Sequence, residues 1–130
     1  MMLKVILWLS FFCSPAQVIK TPDIPKGIIE TFETGNSSLL TPYLNEEMSM
    51  IILNSEFRGQ KDKALKNLDK FFVNHKIVSF EVKHSSIRAE SGFFIGSLQS
   101  KDSRFRVNCF FKKGTKHIVI NQIRIDNAKD

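Results

Sequence analysis

A helical pattern is clearest in the middle of the chain, where apolar residues recur three and four positions apart. The apolar positions of "QKDKALKNLDKFFVNH" are Ala64, Leu65, Leu68, Phe71 and Phe72. These positions share one face of a helix, and charged residues cover the opposite face. The pattern predicts an amphipathic helix over about residues 60–75 that packs one face on a core.

Two shorter helices are predicted before this segment. Apolar residues recur at helical spacing over residues 24–34, between a candidate N-cap, Asp23, and a left-handed C-cap, Gly35. A short second helix follows, and Pro42 limits its length. The segment "MSMIILNSEF", residues 48–57, then predicts a first strand or a bent hairpin.

Four further strand segments end the chain, separated by the turn material "IRAESG", "KDS" and "GT". Their ranges are 77–85, 93–100, 104–113 and 117–126. Strands that follow one another through short turns pair in antiparallel fashion. The predicted fold class is α+β, with helices packed on one face of a curved antiparallel sheet.

The last two strands can be paired through "KKGTK" with Lys112 opposite His117. In that register Phe111 faces Ile118, Cys109 faces Ile120, Val107 faces Gln122 and Phe105 faces Arg124. The face that carries Phe105 and Val107 is assigned to the core. We therefore expect Gln122 and Arg124 to point into the interior, near one end of an apolar cavity.

A buried arginine needs a partner, because an unpaired charge in an apolar interior is very costly. One hypothesis is a pocket for an apolar ligand bearing an anionic end, with Arg124 and Gln122 holding the anion. The expected walls of this pocket are Phe105, Val107, Ile120 and Phe32. The alternative is an internal salt bridge from Arg124 to Glu30 or Glu33 in the first helix.

The opposite face of the sheet is expected to be too apolar for plain solvent. Its candidate interface residues are Phe110, Val119, Ile123 and Ile125, with Arg106 at the rim. A second copy of the chain could bury them, which makes a homodimeric interaction domain with a filled core a further candidate. The alternative is that the N-terminal segment or the first strand covers this face.

Residues for catalysis are scarce. Tyr43 is the single tyrosine, and His84 lies near the end of the predicted strand 77–85, on the same side as Val82. An enzyme of the isomerase or dehydratase type would need one of them as an acid–base group inside the fold. The sequence shows no nucleophile–base pair and no histidine, cysteine or carboxylate set at metal spacing. We expect no cofactor and no metal, and we favour a non-enzymatic binding or assembly module.

The N-terminus has the pattern of a secretory signal peptide over residues 1–16. An apolar run over residues 5–13 follows a basic start, and Ser14 and Ala16 form a small-x-small cleavage site. Cleavage would leave residues 17–130 as a single periplasmic or secreted domain without stable membrane insertion. The apolar run is too short to span a bilayer.

Cysteine usage agrees with this expectation. Phe12 and Ser10 do not fit the residues that precede a lipidated cysteine, so Cys13 is not expected to carry a lipid. Only Cys109 would then remain, and its apolar surroundings favour a core role. The net charge is +6. The basic residues are scattered rather than clustered, so nucleic acid is not an expected partner.

The succession of motifs resembles a known family. "IPKGIIETFETGNSSLLTPYL", "LKNLDKFFVNH", "FFIGSL", "FRVNCFFKK" and "INQIRID" follow one another as in domain of unknown function 4783, a family of small exported bacterial proteins. The resemblance implies an export signal and the cone-shaped fold of the nuclear transport factor 2-like (cystatin-like) superfamily. It implies no activity.

Overall fold

The computed structural model describes residues 24–88 and 90–128. The expected signal peptide and Asp23 lie outside these residues. The described part contains helices α1 and α2, a 3-10 helix between them in sequence, and six strands. The bounds are α1 Lys26–Thr34, the 3-10 helix Ser37–Tyr43, β1 Leu44–Ile52, β2 Ser55–Gln60, α2 Lys61–Asn74, β3 Ile77–Ile87, β4 Ser91–Ser100, β5 Arg104–Lys113 and β6 Ile118–Asn127.

The strands form one curved, open sheet with the order β2-β1-β6-β5-β4-β3. Strands β3 to β6 form the predicted antiparallel succession. The hairpin β1–β2 joins it through a parallel pairing of β1 with β6, which makes the sheet mixed. The helices pack on one face, so the predicted α+β cone is confirmed, and the parallel pair is an addition to it.

Local signals determine most element boundaries. Gly35 ends α1 in the left-handed conformation, with φ 76°, and its N–H donates to the carbonyl of Thr31. The predicted short second helix is a 3-10 helix that contains Pro42 and is capped by Asn36. The segment predicted as a strand or bent hairpin is the hairpin β1–β2, so the hairpin alternative is confirmed.

The interior of the fold is filled with phenylalanine side chains. The ring of Phe32 lies 6.1 Å from Phe72, 5.2 Å from Phe80 and 6.3 Å from Phe94, measured between ring centroids. The residues expected to wall a cavity are buried in this core: Phe32, Phe105, Val107 and Ile120. These side chains belong to one packed hydrophobic cluster. The apolar cavity that the sequence pattern predicts between them is therefore filled.

The predicted register of β6 is wrong along the whole strand. Phe111 pairs with Ile120 instead of Ile118, a shift of two residues that keeps the predicted faces, and a β-bulge at Asn121 then inserts one further residue. The residue before Phe111 in β5, Phe110, pairs with Gln122, so that Asn121 has no partner residue in β5. The extra residue reverses the faces of the rest of the strand. Gln122 and Arg124 therefore point to the outer face of the sheet, and Ile123 and Ile125 are completely buried.

The bulge resolves a conflict in the sequence "IVINQIRID". Strict alternation would bury either Gln122 and Arg124 or Asn121 with Ile123 and Ile125, so neither phase is fully apolar. One extra residue lets all the isoleucines of β6 face inward. Burial of each isoleucine contributes roughly 1.5–3 kcal/mol, and no guanidinium has to leave water.

Candidate functional site

The polar residues predicted inside the fold lie on its outer face. Arg124 Nε donates to Asp126 Oδ2 at 2.8 Å, and the Arg124 side chain is 46% exposed. Its partner is thus a neighbour on the same strand rather than Glu30 or Glu33 of α1. The structure does not bring Arg124 and Gln122 together with Phe105, Val107, Ile120 and Phe32 in one pocket.

The predicted interface residues are divided between two faces. Phe110 and Arg106 are exposed on the outer face, and Val119 is half-buried there opposite Lys112. Ile123 and Ile125 were expected on this face but are in the core, because the bulge at Asn121 turns them inward. Only part of the predicted interface is therefore available at the surface.

The candidate acid–base residues are also apart. A register shift between Val82 and His84 turns the exposed His84 to the outer face, opposite Ile95. Its predicted position beside Val82 inside the fold is wrong for this reason. Tyr43 is half-buried, with its ring 6.0 Å from that of His117.

Cys109 is a fully buried free thiol. Burial raises the pKa of this thiol well above its usual range, because the thiolate would lose its hydration. A raised pKa keeps the sulfur protonated and a poor nucleophile. In the described part of the chain, no three His, Cys, Asp or Glu side chains are grouped to hold a metal ion. Among the same residues, no helix has the length and apolar character needed to cross a bilayer.

A groove of about 200 Å³ lies between the hairpin β1–β2 and helix α2. We call it the hairpin groove. Its apolar walls are Met50, Ile52, Leu53, Phe57 and Phe71. Its polar lining is Ser55, Asn67, Lys70, Asn74 and His75. Apolar walls with a few convergent polar groups are the usual composition of a small-molecule site.

The polar side of the hairpin groove comes from one stripe of α2. Asn67, Lys70 and Asn74 are three and four residues apart, so they project from the same side of the helix. His75 follows at the C-cap, and its ring lies 4.7 Å from that of Phe71 and 4.9 Å from that of Phe105. This spacing is visible in the sequence and could have indicated a polar stripe beside the apolar face of α2.

The opposite wall contains an unusual backbone conformation. Leu53 and Asn54 form the two-residue turn of the hairpin with φ of 47° and 77°. Turns with two positive φ values favour Asn and Gly, and a leucine there is strained. The Leu53 N–H donates to the carbonyl of Ile125 at 2.9 Å, and its side chain packs against the core. The turn therefore fixes Leu53 in the wall of the hairpin groove.

A comparison with models of protein families identifies the family of this chain. The family model "Domain of unknown function (DUF4783)" matches residues 25–126. The chain belongs to this family. The resemblance seen in the sequence motifs is thereby confirmed. A comparison with curated proteins gives no match for this DUF4783 domain.

Solved structures agree with this assignment. A DUF4783 family protein from Bacteroides uniformis is 44% identical, with a TM-score of 0.78, over 82% of this chain and 99% of that one. An NTF-2 like protein of unknown function from Silicibacter pomeroyi is 8% identical, with a TM-score of 0.59, over 79% of this chain and 88% of that one. A protein with a cystatin-like fold from Caulobacter vibrioides is 10% identical, with a TM-score of 0.63, over 80% of this chain and 84% of that one. The last two show the fold alone.

Proposed function

We propose that this DUF4783 domain is an exported, non-catalytic binding module that holds a small apolar ligand with an anionic group in the hairpin groove. The observation that carries the proposal is the combination in one groove of apolar walls with the ammonium group of Lys70. The chemistry of the expected ligand is the one inferred from the sequence. The proposed site is the hairpin groove, because the interior that was expected to hold the ligand is filled.

The size of the groove limits the ligand. An apolar cavity of roughly 150 Å³ can bind benzene, and the hairpin groove measures about 200 Å³. One or two fused rings, or a short alkyl chain, would fill it. Contact with Phe57 and Phe71 favours a flat aromatic ligand, since aromatic side chains pack well against other rings.

The polar lining favours an anion at one end of the ligand. Lys70 forms no ion pair with any residue in the ranges 24–88 and 90–128, so its charge is available. Asn74 adds an amide that can donate a hydrogen bond, and none of the described residues that line the groove is a carboxylate that would oppose an anion. Hydrogen bonds from a charged donor to a carboxylate are stronger than those between neutral groups.

Binding has more support than catalysis. An isomerase or dehydratase would need an acid–base residue oriented by a second group. Tyr43 and His84 lie outside the hairpin groove. His75 lies in it, but its ring packs between Phe71 and Phe105, and no carboxylate in the lining orients it.

An equilibrium titration with 1-naphthoate, followed by the fluorescence of the naphthyl ring, tests the proposal. At about −0.3 kcal/mol for each non-hydrogen atom, a ligand of this size binds with a Kd near the millimolar range. We expect Lys70→Met to weaken binding roughly tenfold, because it removes the charged donor. Lys66→Met, one turn away on α2 and outside the groove, is the matched control and should leave the Kd unchanged.

The neutral analogue 1-naphthamide separates the two parts of the site. Its affinity should be the same for the wild type and for Lys70→Met, because only the anion contacts the ammonium group. Equal loss of naphthoate binding in Lys70→Met and Lys66→Met, or no saturable binding of naphthoate, would show that the groove is not an anion-recognising site.

A further inference from the structure

The outer face of the sheet carries an uncharged aromatic platform. Phe93 of β4 and Phe110 of β5 lie directly opposite each other, and Ile95 is the next outward residue of β4. Phe110 is 38% exposed, and Phe93 and Ile95 are half-buried. Large apolar side chains that share an exposed sheet face are typical of an interaction surface.

A second and independent feature lies beside this platform. The side-chain oxygen of Asn121, at the β-bulge, is buried and has no hydrogen-bond partner in the described part of the chain. Buried polar atoms without partners are rare in native proteins, because they lose their hydration without compensation. Because the oxygen is buried, a rotation of the Asn121 side chain toward the grooves is needed before an N–H or O–H group of a bound partner can satisfy it.

Two grooves of the outer face meet at Asn121. One, of about 540 Å³, runs over Phe93 and Phe110 and is bordered by Arg88. The other, of about 250 Å³, continues toward β2 and is bordered by Lys112, Arg58 and the carboxylate of Glu47. Within residues 24–88 and 90–128, none of these three cations forms an ion pair. The two grooves therefore offer apolar contact, the unpartnered acceptor of Asn121 and three cations against the one carboxylate of Glu47 among the described residues that line them.

We propose that the outer face binds an acidic, extended peptide segment of a partner protein. An apolar side chain of the segment packs on Phe93 and Phe110. A backbone N–H of the segment donates to the side-chain oxygen of Asn121. Carboxylates on either side of the apolar residue pair with Arg88 and Lys112. This surface is separate from the hairpin groove, and neither proposal depends on the other.

Charge argues against a second copy of this chain as the occupant. The strands at the centre of the face present Arg106, Lys112 and Arg124, and the described carboxylates beside them are Asp126 on β6 and Glu47 on the neighbouring β1. Two such faces would bring like charges together, which opposes association. The chain as a whole has a net charge of +6. An acidic partner is attracted by the same charges.

A peptide also fits better than a sugar. Sugar hydroxyls donate as readily as they accept, and carboxylates beside an aromatic surface are the strongest acceptors for them. Among the residues that the structure describes, no carboxylate lines the groove over Phe93 and Phe110. Ile95 further gives the platform an aliphatic part that suits a branched apolar side chain rather than the flat face of a sugar ring.

A display library of random peptides, selected on the purified protein, tests this proposal even though the partner is unidentified. We expect the selected peptides to be enriched in sequences with one or two apolar residues flanked by Asp and Glu. Their binding should weaken at higher ionic strength, because the ion pairs lie at an exposed face. Phe110→Thr should weaken it at least tenfold, roughly the loss found for contact residues at the centre of an interface. Val73→Ser, which changes an exposed apolar residue of α2, is the control and should have no effect.

Asn121→Leu separates a binding role from a structural one. The substitution removes a buried acceptor that has no partner in the described part of the fold, so the melting temperature should stay the same or rise. Binding of the selected peptides should nevertheless weaken about tenfold. A fall in melting temperature with unchanged peptide binding would show that Asn121 serves the fold alone.

Two results would overturn the proposal. One is a set of selected peptides without acidic enrichment, or one that binds Phe110→Thr as well as the wild type. The other is sedimentation as a dimer that Phe110→Thr converts to a monomer, since a second copy would then occupy the face.

Discussion

Leu53 occupies a backbone conformation that leucine rarely adopts, and its side chain forms part of the hairpin groove. A left-handed conformation costs a non-glycine residue about 1 kcal/mol or more. The hydrogen bond to Ile125 and packing against the core hold Leu53 there. Strain of this kind is often kept where a side chain has to stand in one place for binding.

Leu53→Asn is predicted to separate binding from stability. Asparagine tolerates a positive φ, so the relief of strain should offset the lost packing and keep the free energy of unfolding within about 1 kcal/mol. Binding of 1-naphthoate should weaken several-fold, because one apolar wall is lost. Asn54→Gly relaxes the neighbouring residue, which does not line the groove, and should leave binding unchanged. Unaltered binding in Leu53→Asn would argue against a role for this wall.

Cys109 should react with a thiol reagent only when the protein unfolds. Its sulfur is buried and protonated, so labelling in native buffer should be at least ~10³-fold slower than in urea. The folded state holds the thiol proton more tightly than the unfolded state. The contribution of Cys109 to stability is therefore complete below the unfolded pKa of about 8.5 and is lost as the pH rises through the raised pKa. Rapid, complete labelling at neutral pH would contradict this assignment.

Strand β6 shows how one inserted residue decides which side chains face the core. Removal of Asn121 joins Ile120 to Gln122, and the strand then alternates regularly with the same inward isoleucines. We expect the deletion of Asn121 to preserve the fold, with a stability change of no more than about 2 kcal/mol. The deletion of Asn108, in the regular part of β5, should unfold the domain because it turns two buried residues outward.

Thermal unfolding followed by far-ultraviolet circular dichroism distinguishes the two deletions. If the deletion of Asn121 were as damaging as that of Asn108, the bulge would be in the wrong place. The outward position of Gln122 and Arg124 would then be wrong as well.

Gly96 lets two strands and an aromatic ring pack closely. A side chain at this position would overlap the ring of Phe80, which packs on Phe32 and Phe94. We predict that Gly96→Ala lowers the free energy of unfolding in urea by about 1–3 kcal/mol. The double variant with Phe80→Leu should recover part of this loss, and Ser97→Ala, next to it on the outer face, is the control. An unchanged free energy of unfolding in Gly96→Ala would mean that the ring of Phe80 is free to move.

The overall architecture could be predicted from the sequence because its signals are local. Helical spacing indicates α2, Gly35 ends α1, and short turns indicate the succession β3 to β6. The register shifts that decide the candidate sites, at Asn121 and between Val82 and His84, could not be predicted, because no residue type marks where an extra residue will sit. The parallel pairing of β1 with β6 joins distant parts of the chain, and no local pattern encodes it.

The candidate sites were predicted less well for the same reason. Gln122 and Arg124 were assigned to the interior from strict alternation, and one bulge moves them to the outer face. The hairpin groove depends on the position of the hairpin β1–β2 against α2, which is a tertiary contact. At the scale of the whole molecule, the core is filled, and the two recognition sites that we propose, the hairpin groove and the outer face of the sheet, therefore lie outside it.

The binding proposal is tested most directly by a ¹H–¹⁵N correlation spectrum of the purified domain, titrated with 1-naphthoate. We predict saturable shifts of the amides of Leu53, Lys70, Asn74 and His75 in the hairpin groove, with the amides of Phe93 and Phe110 on the outer face unmoved. The same shifts should need about tenfold more ligand in Lys70→Met, and the titration of Lys66→Met should match the wild type. Shifts confined to the outer face, or no saturable shift at all, would contradict a ligand site in the hairpin groove.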